Sequence, residues 1–144
     1  MNHVYILGGL RSYIGVKDGM YRHIPAEKLG AEVLREVVSR FELPTDAIDY
    51  IIGGNAVGGG GNITRLAALS AGFPERIPAV TLDLQCGSAL EAISAAAAKI
   101  GSGMADLVIA GGMESSSVQP YRMMLERCIR LHSLCRESAA SRLC

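Results

Sequence analysis

Hydrophobic residues along this chain fall into two alternating patterns. Short apolar runs typical of β-strands occur at four places, residues 3–7, 50–52, 79–84 and 106–110. Three of the runs are closed by glycines, at Gly8, Gly53 and Gly111, and glycine at the end of an apolar run favours a turn. The pattern therefore predicts four short strands.

The segments between these runs have helical periodicity. They cover three stretches, residues 24–41, 63–71 and 87–100. Pro25 lies at a plausible first helical position, and Gly72 and Gly101 follow the second and third stretches as helix-ending residues do. In the third stretch, the face opposite the larger apolar residues also consists of Ala and Ser. This indicates a helix buried nearly all round.

Strands that alternate with helices imply an α/β protein. Such a chain forms a parallel sheet with helices layered on its faces and right-handed crossovers between the strands. We therefore expect layered helices on a mixed, mostly parallel sheet.

The last part of the chain departs from this alternation. Residues 122–144 hold five Arg and three Cys but no Gly or Pro. Residues 1–121 are therefore predicted to form one domain and residues 122–144 an atypical tail. Its pattern fits a basic amphipathic helix through Met124, Cys128, Leu131 and Cys135, and an out-of-frame translation would give the same composition.

Composition and charge exclude several classes of partner. The chain has 14 basic and 14 acidic side chains in 144 residues, so no overall field favours nucleic acid or an anionic membrane. No apolar run approaches the about 18 residues of a membrane span, and the N-terminus lacks the features of a secretion signal. A cytoplasmic protein that acts on a small molecule or on another protein is the expectation.

Cys86 is the residue whose position favours chemistry. It lies where the third predicted strand meets the third predicted helix, so its sulfur is expected near free backbone N–H groups and the positive end of the helix dipole. Such an environment favours the nucleophilic thiolate. The alternative is an inert cysteine that packs as a small hydrophobe.

Two motifs resemble those of the thiolase family. Cys-Gly-Ser-Ala-Leu at residues 86–90 is similar to the thiolase nucleophile motif, and Ala-Gly-Gly-Met-Glu-Ser at residues 110–115 is similar to a second thiolase signature. Ala89 is a departure, because the family usually has Gly there. Weaker matches are Gly58, Gly60, Asn62 and Arg65 of a glycine-rich loop, and Arg11, Ile14 and Gly15 after the first strand.

The resemblance covers residues 2–121 and implies a thiolase-like N-terminal half-domain. It implies acyl transfer between coenzyme A thioesters with Cys86 as the catalytic nucleophile. The coenzyme A thioester is then a substrate, and neither a permanently bound cofactor nor a metal is expected. Thiolases also use a His of a Gly-His-Pro motif and a second Cys of a Cys-x-Gly motif, and this sequence contains neither. We therefore expect an incomplete active site in this chain.

The three histidines, His3, His23 and His132, have no sequence context that recommends any of them as the missing base. Surface or packing roles are expected for them.

Three further features have two interpretations each. The Gly58 to Gly61 run suits a flexible turn better than a nucleotide loop, since no Lys-Ser/Thr follows it. Glu114 suits a loop anchor better than an acid/base. His132 and the tail cysteines could chelate zinc, but the tail has no Cys-x-x-Cys spacing of the kind that zinc sites use, and this disfavours a zinc site.

The resemblance also implies partners, because thiolases pack duplicated halves together and assemble into oligomers. We expect a homo-oligomer or pairing with thiolase-like chains, and an exposed apolar face that such a partner covers. The alternative function is a non-catalytic subunit that pairs with a full-length thiolase through the loop around Asn62 and Arg65.

Overall fold

A computed structural model describes residues 3–121 of the chain. In chain order its elements are helix α1 (Ala26–Arg40), a short 3-10 helix (Thr45–Ala47), strand β1 (Tyr50–Gly54), helix α2 (Ile63–Ala71), strand β2 (Ala79–Leu82), helix α3 (Ser88–Gly101) and strand β3 (Val108–Gly112). The predicted tail, with its possible helix and its zinc-binding alternative, lies outside the described residues.

The three strands form one parallel sheet with the order β2-β1-β3. Each crossover between strands contains a helix, α2 between β1 and β2 and α3 between β2 and β3. The α/β fold predicted from the alternation is therefore confirmed. No antiparallel strand occurs among residues 3–121, so the sheet is parallel throughout that part of the chain.

The central strand β1 separates two hydrophobic clusters. Ile51 packs on one face with Leu34 of α1 and Ala67 of α2. Ile52 packs on the other face with Ala92 and Ala96 of α3. Because successive side chains of a strand point to opposite faces, β1 places α1 and α2 on one side of the sheet and α3 on the other.

The predicted first strand is wrong. Within the described part of the chain, residues 3–7 have no strand partner, and Tyr5, Ile6 and Leu7 are exposed. The segment lines a hollow of about 1160 Å³ together with α1 and β3, so it does not approach β3 closely enough to form a ladder. A strand requires a hydrogen-bonded neighbour, and the local apolar pattern does not provide one.

The prediction that α3 is buried nearly all round is also wrong for the described residues. Ala92 and Ala96 are buried against the sheet, whereas Leu90 is 70% exposed and Ile93 is 43% exposed. The sheet covers one side of α3 only. None of the helices of residues 3–121 is both long enough and apolar enough to span a membrane.

Asp49 joins the two chain segments that lead into β1 and β3. Its carboxylate accepts hydrogen bonds from the N–H groups of Asp106 (2.7 Å) and Leu107 (3.1 Å), and its own N–H donates to the Leu107 carbonyl (2.9 Å). The bond from Asp106, followed by that from Leu107, lowers the pKa of Asp49 below its ordinary value. These bonds also explain why β3 begins at Val108 and not at Asp106.

The lowered pKa of Asp49 predicts a pH dependence of stability. An aspartate whose pKa is lower in the folded state than in the unfolded state stabilises the fold above the unfolded value, about 3.9, and this contribution is lost as pH falls through the folded value. The wild type should therefore lose more stability than Asp49→Asn between about pH 5 and about pH 3, measured by urea unfolding. Asp106→Asn is the control, because its carboxylate makes no hydrogen bond within the described residues. Equal losses in wild type and Asp49→Asn would contradict this role of Asp49.

Candidate active site

The three strand ends at Gly54, Leu82 and Gly112 meet along one border of the sheet, here called the carboxyl edge. Parallel strands necessarily align in this way, and the loops that follow them are therefore neighbours. In open parallel sheets this edge is where ligands bind. The loop after β2 carries Cys86.

Cys86 lies in a tight turn formed by residues 83–88, the Cys86 turn. The Ser88 hydroxyl is buried; it accepts a hydrogen bond from the Leu84 N–H (2.8 Å) and donates one to the Gln85 carbonyl (2.6 Å). Asp83 Oδ1 accepts from the Gln85 N–H (2.9 Å). These bonds hold Gln85 at φ +51°, a left-handed conformation that is uncommon for a residue other than glycine. The turn presents Cys86 as an exposed free thiol at the start of α3.

Two glycines of the carboxyl edge, Gly54 and Gly112, form the surface on which the first turn of α3 packs, here called the seat of α3. A Cβ at Gly54 would lie 2.5 Å from the carbonyl carbon of Ser88 and 2.6 Å from the Ala89 nitrogen. A Cβ at Gly112 would lie 2.7 Å from Ala89 Cβ. The missing side chains therefore allow the first turn of α3 to rest directly on the backbone of β1 and β3. The Ala89 methyl fits this seat because Gly112 has no side chain.

Glu114 anchors the loop that follows β1. One of its carboxylate oxygens accepts the N–H groups of Ala56 (3.1 Å) and Val57 (3.0 Å), and the other accepts the side-chain amide of Asn55 (3.1 Å). The interpretation of Glu114 as a loop anchor is confirmed. Asn55 was not anticipated from sequence; its only signal is that it follows β1 directly.

The glycine-rich loop turns the chain and leads directly into the start of α2. Gly60 and Gly61 have positive φ values of +81° and +69°, which glycine adopts without strain. Asn62 caps α2 by accepting the Arg65 N–H (3.1 Å). The run thus forms a turn that leads into the helix.

Comparison with known proteins identifies the family. Residues 4–138 match the family model described as "Thiolase, N-terminal domain". The chain belongs to the thiolase family. The resemblance inferred from the two motifs is therefore confirmed, and the boundary predicted at Tyr121 stays a prediction.

Individual thiolases show the extent of the similarity. The chain is 41% identical over 123 residues to a steroid 3-ketoacyl-CoA thiolase of Mycobacterium tuberculosis, covering 83% of this chain and 30% of that protein. It is 42% identical over 121 residues to a putative acetyl-CoA C-acetyltransferase of Bacillus subtilis, covering 84% and 32%. The chain thus spans about a third of the length of these curated relatives.

A solved thiolase supports the fold. The crystal structure of the Bacillus anthracis acetyl-CoA acetyltransferase matches with a TM-score of 0.74 at 34% identity, covering 78% of this chain and 29% of that one. The prediction of a thiolase-like α/β half-domain is confirmed.

Neither of the two histidines within residues 3–121 of this thiolase chain makes a hydrogen bond to the Cys86 turn. His23 Nε2 accepts from Arg22 Nε (3.0 Å), and the His3 ring lies 6.3 Å from that of Tyr5. His132 lies outside the described residues. Ser88 was missed as a site residue in the sequence, although a serine two positions after the nucleophile was a visible part of the thiolase motif.

Proposed function

We propose that this chain is the nucleophile-bearing part of an acyltransferase that transfers acyl groups between coenzyme A thioesters, with Cys86 as the acyl carrier. The observation that supports this most directly is the Cys86 turn, which holds an exposed thiol at the start of α3. The relatives named as thiolase and as acetyl-CoA C-acetyltransferase support the choice of reaction. The cytoplasmic location expected from the sequence belongs to the same proposal.

In the first half-reaction the Cys86 thiolate attacks the carbonyl carbon of an acyl-CoA. The new sulfur–carbon bond forms as the bond to the coenzyme A sulfur breaks, and coenzyme A leaves as its thiolate and takes up a proton. Cys86 lies at the N-terminal end of α3, where the helix dipole is positive. Coenzyme A serves as a substrate, and no permanently bound cofactor takes part.

In the second half-reaction the acyl group passes to a carbon nucleophile formed by removing an α-proton from a second acyl-CoA. This step requires a general base. Within residues 3–121 no ionisable side chain makes a hydrogen bond to Cys86. We therefore assign the base to a group outside this part of the chain.

The decisive test is acylation of the full chain by acetyl-CoA, read by peptide mass spectrometry. We expect an acetyl group on Cys86 at least about tenfold faster than on Cys128, Cys135 or Cys144, because a thiol at a helix N-terminus is more reactive than an ordinary one. The Cys86→Ser variant should lose this signal and keep the slow background on the other three. Equal labelling of all four cysteines in the wild type would rule out Cys86 as the acyl carrier.

The exposed side of α3 supports a partner. Leu90 and Ile93 of α3 are 70% and 43% exposed, and Leu84, two residues before Cys86, is 58% exposed. Apolar surface of this kind marks an interaction site. We propose that a second thiolase-like chain or another copy of this one covers it. The same surface favours the alternative function, a non-catalytic subunit that pairs with a full-length thiolase.

The loop around Asn62 and Arg65 is a weaker candidate for that contact. The Arg65 guanidinium donates to the carbonyls of Ile77 (2.7 Å) and Glu75 (2.8 Å), and the Asn62 amide donates to the Ala79 carbonyl (2.7 Å). Both side chains already bind within the chain.

We expect the purified chain to self-associate through the α3 surface. Leu90→Ser should weaken association by about tenfold, since burying a leucine stabilises by about 1.5 kcal/mol or more, measured by sedimentation velocity across a concentration series. Val16→Ser is the matched control, because Val16 is an apolar residue of similar exposure, 77%, in the N-terminal segment. A wild type that stays monomeric at every concentration would contradict this prediction.

A further inference from the structure

Asn55 and Glu114 connect all three strand ends of the carboxyl edge. The Asn55 N–H donates to the Leu82 carbonyl at the end of β2 (3.0 Å), and its side-chain amide donates to the Met113 carbonyl beyond β3 (2.8 Å) and to Glu114. The Met113 N–H in turn donates to the Gly54 carbonyl at the end of β1 (3.0 Å). Glu114 adds its bonds to the two backbone amides after Asn55. The two side chains therefore join the segments that follow β1 and β3, and the backbone N–H of Asn55 links the same place to the end of β2.

These strand ends are the parts of the sheet that carry the Cys86 turn. Gly54, on which the backbone of Ser88 rests, directly precedes Asn55, and Gly112, which faces Ala89, lies two residues before Glu114. The Leu82 carbonyl is adjacent in sequence to the first residue of the turn. A change in the separation of the strand ends must therefore move the seat of α3, because packed backbone has no free space to absorb it.

We propose that Asn55 and Glu114 are a positioning pair that holds the Cys86 turn in the geometry required for acyl transfer, an inference that rests on the function proposed above. Neither side chain makes a hydrogen bond to Cys86 among the described residues. They act on the thiol through Gly54, Gly112 and the first turn of α3. Glu114 is in this account a fixed acceptor and does not exchange a proton with the substrate.

The substitution Glu114→Gln tests the pair with almost no change in volume. Both oxygens of the carboxylate act as acceptors, for Asn55 on one side and for two backbone amides on the other. A glutamine has one acceptor oxygen, and its NH₂ group would oppose one of these sets of donors. The control is Glu75→Gln, since the Glu75 carboxylate makes no hydrogen bond or ion pair within residues 3–121.

Whether Glu114→Gln slows acylation of Cys86 distinguishes a positioning role of Glu114 from an effect of its charge alone. Removing a negative charge from the carboxyl edge gives, by electrostatics alone, no reason for acylation of Cys86 to slow. Loss of positioning slows it, because displacement of a nucleophile by about 1 Å can reduce a rate by up to about a hundredfold.

The first measurement is hydrogen exchange on the full chain and does not depend on acyl chemistry. The amides of Leu84, Gly87 and Ser88 are hydrogen-bonded within the Cys86 turn and should exchange about tenfold faster in Glu114→Gln than in wild type or Glu75→Gln. The amides of Asp106 and Leu107, bonded to Asp49 at the opposite edge, should stay unchanged. Unchanged exchange in the turn, or equal acceleration at both edges, would overturn the proposal.

The second measurement compares two reagents on the same variants. Acetyl transfer from acetyl-CoA to Cys86 should fall about tenfold in Glu114→Gln, whereas alkylation of Cys86 by iodoacetamide, which requires no bound geometry, should change less than about twofold. An unchanged or faster acetyl transfer would overturn the proposal, as would an equal loss with both reagents. If the wild type takes no acetyl group, the proposed function has failed, and the exchange measurement alone decides whether the pair positions the turn.

Discussion

Replacing Gly54 with alanine is expected to lower the free energy of unfolding by about 3 kcal/mol, the upper part of the range for overpacking a close contact. The new Cβ would lie 2.5 Å from the carbonyl carbon of Ser88 and 2.6 Å from the nitrogen of Ala89. Both are backbone atoms of the first turn of α3, so no side-chain rotation relieves the contact. Either α3 or β1 must shift, and the Cys86 turn moves with it. Urea unfolding monitored by circular dichroism measures the loss.

Gly111→Ala is the matched control for this substitution. Gly111 lies in β3, and a Cβ there would meet nothing within 4 Å. Both substitutions reduce the entropy of the unfolded chain to the same extent, so their difference reports the contact at α3. We expect the control to stay within about 0.5 kcal/mol of wild type. Similar losses in the two variants would show that β1 does not carry α3 as described.

Replacing Ser88 with alanine is expected to cost about 1.5 kcal/mol, as for loss of a buried hydrogen-bonding group that leaves its partners unpaired. The hydroxyl joins the Leu84 N–H to the Gln85 carbonyl, and Gln85 has a left-handed conformation, φ +51°, that needs such support. Once the turn relaxes, acetylation of Cys86 should slow by about tenfold. Thermal unfolding and the acetyl-CoA assay measure the two effects.

Ser94→Ala controls for the same chemical change in the same helix. The Ser94 hydroxyl donates to the Leu90 carbonyl one turn earlier and is exposed, so alanine should be neutral or slightly stabilising there. If Ser94→Ala and Ser88→Ala have the same effect on acetylation, the Ser88 hydroxyl has no particular role in the Cys86 turn.

Elements whose boundaries depend on neighbouring residues were predictable from the sequence. Helix α2 spans residues 63–71 as predicted, because Asn62 caps its start and Gly72, at φ +90°, ends it. These signals act over one turn of chain. Strand β2 ends at Leu82, two residues earlier than predicted. The Leu84 N–H donates to the Ser88 hydroxyl and so belongs to the turn that follows the strand.

The candidate site was predictable only in part. Cys86 and the anchoring role of Glu114 followed from motifs and from local position. Asn55 and the seat formed by Gly54 and Gly112 did not, because their partners lie more than twenty residues away in the chain. A glycine in the sequence does not reveal which backbone approaches it.

The sequence by itself determined the alternation of strands and helices, the family, and the position of Cys86 at a strand-to-helix turn. These depend on periodicity, capping and short motifs, which act between residues close in the chain. Only the tertiary structure decided that residues 3–7 pair with no strand among residues 3–121, that α3 exposes Leu90 and Ile93, and that Asn55 and Glu114 join the strand ends. Each depends on which distant segment comes to lie beside it, and a hydrophobic pattern specifies that a face needs covering without specifying what covers it.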